Sequence, residues 1–190
     1  MISKIRTCLA GITLMFAASN VNAVPVEQCD PFTTDAADVG INYLKANWDE
    51  FEQRVQAGGM EIAECIKKKV FETGTLICDR YECPYPGLTG WVIKGKNEAY
   101  MCPWYYEERI DHLNILNEKA ACIGARTANL FAISCEAPGQ QHWDFYGPVL
   151  VNMMKRDYPN VKISPTVDCG FNNETAPSFT PDIDGRTYVK

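Results

Sequence analysis

The chain has 190 residues, of which 46% are hydrophobic and 22% charged, and its formal net charge is −6 at pH 7. This composition is typical of a globular protein and excludes a disordered or low-complexity chain. The excess of acidic residues disfavours nucleic acid as a partner, because a phosphate backbone attracts basic proteins. The length fits one domain of ordinary size.

The first 23 residues have the pattern of a secretory signal peptide. Lys4 and Arg6 precede a short apolar run over residues 9–18, and residues 21–23 form a small-residue cleavage site. The segment carries two basic residues and no acidic one, so its removal takes the formal net charge from −6 to −8. Because the apolar run is too short to anchor the chain, we expect a secreted or periplasmic protein without stable membrane insertion.

The cysteines predict a disulfide framework. Cleavage would remove Cys8 and leave an even number, which in an exported chain indicates up to four disulfide bonds and no metal site. Connectivity does not follow from sequence, but local reach favours Cys78 with Cys83 and Cys122 with Cys135, and a third bond could join the two ends of the domain. The eight cysteines are Cys29, Cys65, Cys78, Cys83, Cys102, Cys122, Cys135 and Cys169, and the bond between the ends would be Cys29 with Cys169.

Two helices are predicted in the first part of the domain. Asp35 is a candidate N-cap for a helix that ends at Gly58, and a second helix runs from Met60 to Gly74. The first helix has apolar residues at the spacing of one helical face, namely Leu44, Trp48, Phe51 and Val55.

The next part of the chain has the pattern of short strands. Residues 76–78 predict one strand, and residues 91–93 and 99–101 predict a hairpin closed by a turn at 94–97. The Trp and Tyr side chains of this region would either line a sugar or peptide groove or pack the small sheet.

Helices dominate the second half. One long helix is predicted over 104–134, which Gly124 could kink or split, and another over 141–156; residues 161–163 could add an edge strand. The expected architecture is therefore α+β, with several helices packed on a small antiparallel sheet and stabilised by disulfides. The domain would span 24–160, and an irregular C-terminal segment, 161–190, would be tied to it through Cys169.

His112 and His142 are the only histidines. A zinc hydrolase usually needs three protein ligands and a general base, commonly two histidines with a carboxylate. His112 and Glu118 are six residues apart on the predicted helix and so do not share a face. Paired carboxylates for glycosidase-type chemistry are also present, as Glu107 or Glu108 with Asp111.

Residues 99–106 (AYMCPWYY) and the long helix that follows resemble the middle of deuterolysin-like secreted zinc metallopeptidases, over about 40 residues. In that family the helix carries a His-Glu-x-x-His motif. Here only Glu118 matches it, with Asn117 and Ala121 at the histidine positions. The resemblance implies a zincin-like fold that lacks its metal, in which the catalytic base would correspond to Glu118.

Together these features favour a non-catalytic binding or interaction protein that needs no cofactor. Its partner would be a protein or a cell-surface polymer. The alternative is a secreted hydrolase, metallopeptidase-like or carboxylate-based, that acts on protein or cell-wall polymer. In that alternative the catalytic candidates are Glu118, His112 and His142, so the sequence leaves open whether the protein is an enzyme.

Overall fold

The computed structural model describes residues 24–59, 62–84, 86–135, 145–171 and 185–189. The predicted signal peptide lies outside the described residues, and the expected α+β class is confirmed. The helices are α1 (Pro31–Ala46), α2 (Trp48–Ala57), α3 (Glu64–Lys68), α4 (Leu116–Ser134) and α5 (Tyr146–Asp157), with π-helical turns at Lys69–Thr73 and Trp104–Arg109. The strands are β1 (Val26–Glu27), β2 (Thr75–Cys78), β3 (Gly90–Ile93), β4 (Glu98–Met101) and β5 (Arg186–Val189).

The five strands form one sheet in the order β1-β2-β4-β3-β5. The predicted hairpin is confirmed, since β3 and β4 are antiparallel and a turn at residues 94–97 joins them. β1 with β2 and β2 with β4 are parallel, so the sheet is mixed rather than purely antiparallel. Helices α1 to α3 connect β1 to β2, and a crossover connection of this length permits parallel pairing.

The last strand, β5, lies within the segment 161–190, for which the sequence predicts an irregular conformation. It pairs antiparallel with β3, and Thr187 and Val189 are buried. Residues 161–163, by contrast, pair with no strand among the described residues. A run of four residues is too short to show the alternation of polar and apolar side chains that predicts a strand. β5 forms because it pairs with β3, which lies far away in the sequence.

Helix α1 begins earlier than predicted because Asp30, rather than Asp35, is its N-cap. The Asp30 side chain accepts a hydrogen bond from the Thr33 amide at 3.0 Å, and Pro31 follows it in the first turn. The predicted helix is also divided at Asn47, whose backbone is not helical and whose side-chain amide donates to the Tyr43 carbonyl at 2.9 Å. The predicted apolar face is nevertheless buried along its whole length.

Helix α4 is the centre of the molecule, and every residue from Lys119 to Ser134 is buried. Helices α1 and α5 and strands β3 and β4 pack around it. The prediction of one helix over 104–134 is wrong, because the chain leaves helical geometry between Arg109 and Leu116. α4 continues through Gly124, so the glycine does not split the helix. Its missing side chain instead admits Gly40 of α1, since an added Cβ on Gly124 would lie 2.9 Å from the Gly40 carbonyl carbon.

All eight cysteines form disulfides, as predicted, but the predicted pairs are wrong. The bonds are Cys29–Cys78, Cys65–Cys135, Cys83–Cys102 and Cys122–Cys169. Cys78 belongs to the main core between the sheet and the helices. Cys83 packs instead in a small separate cluster with Leu88 and Trp91, so these two cysteines do not bond to each other.

The other two predicted bonds fail for geometric reasons. Cys122 and Cys135 are separated by α4 itself, which rises about 1.5 Å per residue and holds them far beyond bonding distance. Cys169 is tied to Cys122 on α4, whereas Cys29 follows β1 and reaches Cys78 on neighbouring β2.

Within the described segments, no helix combines the length and the apolar character needed to cross a bilayer. Of the last predicted helix, 141–156, residues 141–144 lie outside the described residues, and the remainder corresponds to α5 (Tyr146–Asp157).

Candidate functional site at the start of helix α4

Two of the residues predicted to be functional, Glu118 and His112, contact one short stretch of chain, residues 162–171. This stretch follows α5 and packs beside the beginning of α4, to which the Cys122–Cys169 disulfide attaches it. Its residues 165–169 form a turn in which the Asp168 amide donates to the Ser164 carbonyl at 3.0 Å. We call it the 162–171 segment.

Glu118 holds the beginning of this segment. Its Oε1 atom accepts a hydrogen bond from the backbone amide of Lys162 at 2.8 Å. Glu118 lies in the first turn of α4, where a negative charge is favoured by the helix dipole. The carboxylate therefore joins the helix to the segment.

His112 lies against the other end of the segment. Its Nε2 atom is 3.5 Å from Asp168 Oδ1, and the histidine side chain is 56% exposed. The second carboxylate oxygen of Asp168 accepts from the Ser164 amide at 2.6 Å, while Ser164 Oγ accepts from the Val167 amide at 3.2 Å. Histidine, aspartate and serine are thus neighbours, but the serine oxygen is engaged within its own turn.

Glu118 and His112 therefore contact opposite ends of one segment. His142, the third predicted catalytic residue, lies outside the described residues. The structure describes no group of three or more His, Cys, Asp or Glu side chains placed to hold a metal ion. A role for these residues in catalysis stays a prediction.

Arg126 is a prominent residue of the site that sequence reasoning missed. It is 0% exposed, and its guanidinium carbon lies 4.3 Å from the ring centre of Phe171 and 5.0 Å from that of Tyr105. Its Nη2 donates to the carbonyls of Cys169 and Gly170 at 3.4 and 3.3 Å. One signal was available, since Arg126 is the single charged residue between positions 120 and 134.

A second arginine, Arg109, approaches the same segment from the π-helical turn at Trp104–Arg109. Its Nη2 donates to the carbonyls of Thr166 and Val167. The positive charges of both arginines act on Tyr105: burial raises the pKa of that phenol, and the Arg126 and Arg109 charges oppose the rise. Two guanidinium groups therefore surround the 162–171 segment, in addition to His112.

Exposed apolar side chains gather beside the site. Phe32, Ile115 and Leu116 are 38%, 45% and 36% exposed. The ammonium of Lys119 lies 5.2 Å from the ring centre of Phe32, and Lys119 is one helical turn beyond Ile115 and Leu116. Because residues three apart share a helix face, Leu116 and Lys119 lie on one side of α4, and the Phe32 ring lies on that side; Ile115 directly precedes Leu116 as the N-cap of the helix. We call these three residues the α4-start patch.

The other candidates from the sequence lie elsewhere. Glu107, Glu108 and Asp111 are exposed, and Glu107 faces Arg80 at 3.9 Å. Trp91 is only 2% exposed, because Tyr100 stacks on it with ring centres 3.7 Å apart and Arg186 lies 4.6 Å from its ring centre. With both faces of its ring covered, Trp91 packs the sheet and cannot be the floor of a sugar groove.

Comparison with protein-family models, with curated proteins and with solved structures finds no match to this chain.

Proposed function

We propose that this chain is an exported, non-catalytic interaction protein that binds another protein through the α4-start patch. The observation that carries the proposal is the exposure of three large apolar side chains: Ile115 and Leu116 at the start of α4, and Phe32 of α1, whose ring lies beside Lys119 of α4. Exposed apolar side chains grouped on a folded domain are typical of an interaction site.

The contacts of the predicted catalytic residues support the same function. The Glu118 carboxylate accepts from the Lys162 amide, and His112 is paired with Asp168, so both side chains position the 162–171 segment beside the patch. Side chains engaged in this way fix the shape of a contact surface, which lowers the entropic cost of binding.

The compartment follows from the cysteines. Four disulfides within one domain are typical of proteins that mature in an oxidising environment, consistent with an extracellular or periplasmic location. The predicted signal peptide agrees with export and belongs to the proposal.

Site-specific photo-crosslinking tests the interaction. A photoreactive residue placed at Leu116 should give one discrete adduct with an extracytoplasmic protein of the source organism, and the added substitution Ile115→Asp should abolish the adduct. The matched control places the same probe at Tyr81, which is 89% exposed and distant in sequence from the patch. No adduct from position 116, or the same adducts from both positions, would refute the proposal.

The hydrolase alternative has one specific observation in its favour, the exposed His112 beside Asp168 at 3.5 Å. In many hydrolases a carboxylate orients the histidine that acts as the general base. The oxidised protein would be assayed on denatured protein and on cell-wall polymer. If the protein is active and both Glu118→Gln and His112→Asn lose activity while remaining folded, the hydrolase alternative is established. The metallopeptidase interpretation would then again be a candidate.

A further inference from the structure

The cluster of Arg109 and Arg126 carries positive charge, and no acidic side chain among the described residues is bound to it. The hydrogen bonds that these two guanidinium groups donate to the 162–171 segment all go to neutral backbone carbonyls. The Nε atoms of both arginines and Nη1 of Arg126 are buried and have no hydrogen-bond partner among the described residues.

Such an arrangement is costly for the protein alone. A buried guanidinium loses its hydration, and carbonyl dipoles and aromatic faces replace only part of that stabilisation. Two like charges held around the same segment also repel each other, and the low dielectric of the interior strengthens this repulsion. An anion bound between the two arginines would relieve both effects and satisfy the unpaired donors.

Gly170 lies against both arginines and leaves the position of a Cβ atom unoccupied. A Cβ atom built on Gly170 would lie 3.4 Å from Arg109 Nε, 3.9 Å from Arg126 Nη2 and 4.0 Å from Arg109 Nη2, which is ordinary van der Waals contact. Gly170 has φ +71°, a conformation that L side chains rarely adopt, so this position stays free of a side chain. The unoccupied position faces three guanidinium nitrogens, so a carboxylate oxygen lying beyond it, at non-bonded distance from the Gly170 Cα, would accept charge-assisted hydrogen bonds from them.

We propose that Arg109, Arg126 and the Gly170 backbone form a binding site for a carboxylate group. The planar guanidinium matches a carboxylate in geometry, because two parallel N–H groups can face the two carboxylate oxygens. Arg109 and Gly170 are both partly exposed, so the carboxylate enters beside them, while buried Arg126 forms the floor. This site is separate from the α4-start patch and does not depend on the proposed protein interaction.

Thermal unfolding with acetate as the probe tests the site. At pH 7 and constant ionic strength, replacing chloride by acetate should raise the unfolding temperature by about 2 °C or more at saturation, because a ligand that binds only the folded state stabilises it. Arg109→Gln should weaken the apparent acetate affinity by about tenfold or more, the usual effect of losing one charge-assisted hydrogen bond.

Arg54→Gln is the matched control, since Arg54 is an exposed arginine that pairs with Glu50 on α2, and this variant should keep the full acetate effect. As a second readout, acetate should shift the amide resonance of Gly170 and the Nε–H resonance of Arg109 in the unmodified protein. Equal unfolding temperatures in acetate and chloride, a larger effect of phosphate, or an acetate effect that survives Arg109→Gln would each overturn the proposal.

Discussion

Gly40 of α1 and Gly124 of α4 lie in direct backbone contact where the two helices cross. A Cβ atom on Gly40 would lie 2.2 Å from the Ala120 carbonyl oxygen and 3.0 Å from the Gly124 Cα. The two glycines therefore let α1 pack against the central helix more closely than any side chain would allow.

Because the atoms opposite Gly40 belong to the backbone, they cannot turn aside. We expect Gly40→Ala to lower the free energy of unfolding by about 3 kcal/mol, the upper part of the usual range for overpacked cores. Urea denaturation would measure this. Asn42→Ala, an exposed position on the same helix, is the control and should be neutral or slightly stabilising because alanine favours helix formation. If the Gly40→Ala variant is as stable as the unmodified protein, the two helices do not cross at this distance.

Acid should weaken the contact between α1, α2 and α5. Hydrogen bonds from Arg156 and Tyr43 lower the pKa of Asp157 to about 2, and those from Arg156 and Arg54 lower the pKa of Glu50 to about 2. Since both values lie below the ordinary carboxyl pKa of about 4, the unfolded chain binds more protons between these limits. The stabilisation is therefore present above about pH 4 and is lost as the pH falls toward 2.

Urea midpoints measured between pH 7 and pH 2 would show this loss. Both carboxylates are about one third exposed, so added salt should reduce the loss. Asp157→Asn should reduce the fall of the urea midpoint between pH 4 and pH 2, which we call the acid limb. Asp111→Asn, at an exposed position, should leave this fall unchanged. An acid limb that is identical in Asp157→Asn and the unmodified protein would contradict the assignment.

Asp79 is a buried carboxylate that organises the loop after β2. It accepts hydrogen bonds from Trp91 Nε1 at 2.7 Å and from the amides of Tyr81 and Glu82 at 2.9 and 3.1 Å. We expect Asp79→Ala to cost about 2–3 kcal/mol, because it leaves a buried indole N–H without its acceptor. Tryptophan fluorescence during denaturation reports the change, and Glu108→Ala, an exposed carboxylate, should alter stability by less than about 0.5 kcal/mol.

Removing the Cys122–Cys169 bond should loosen the candidate site selectively. Its sequence separation of 47 is close to the 49 of Cys29–Cys78, so replacing either pair by serine should cost a similar free energy, about 4 kcal/mol from chain entropy. Only the Cys122→Ser/Cys169→Ser variant should be cut rapidly by trypsin after exposed Lys162. Equal cleavage in both variants would show that the disulfide does not restrain the segment.

Features that depend on local pattern were predictable. The hairpin formed by β3 and β4 has apolar and aromatic strands on either side of a Gly95 turn, and the φ of +76° at that glycine explains why the turn forms there. The apolar face that includes Leu44 and Phe51 is buried as its periodicity predicts, although the helix divides at Asn47. In each case the deciding interactions lie within a few residues.

Features set by tertiary contacts were not predictable. The partner of Cys122 depends on where residues 162–171 settle after α5, and no spacing in the sequence encodes that position. The same holds for Arg126, whose aromatic and carbonyl neighbours come from two separate parts of the chain, the turn that contains Tyr105 and the 162–171 segment. The sequence predicted Glu118 and His112 as candidates, but it could not show that both would contact one segment.

The position of β5 has a consequence for how the protein is made. β3 pairs on one side with β4, its hairpin partner, and on the other side with β5, residues 186–189. The Thr89 amide just before β3 donates to the Val189 carbonyl at 2.7 Å, although the two residues are far apart in the sequence. A folding chain in which these residues have not yet docked has an open edge on β3, and unpaired edges readily recruit other polypeptides. Folding of this domain therefore passes through a stage that is vulnerable to aggregation until residues 186–189 have joined the sheet.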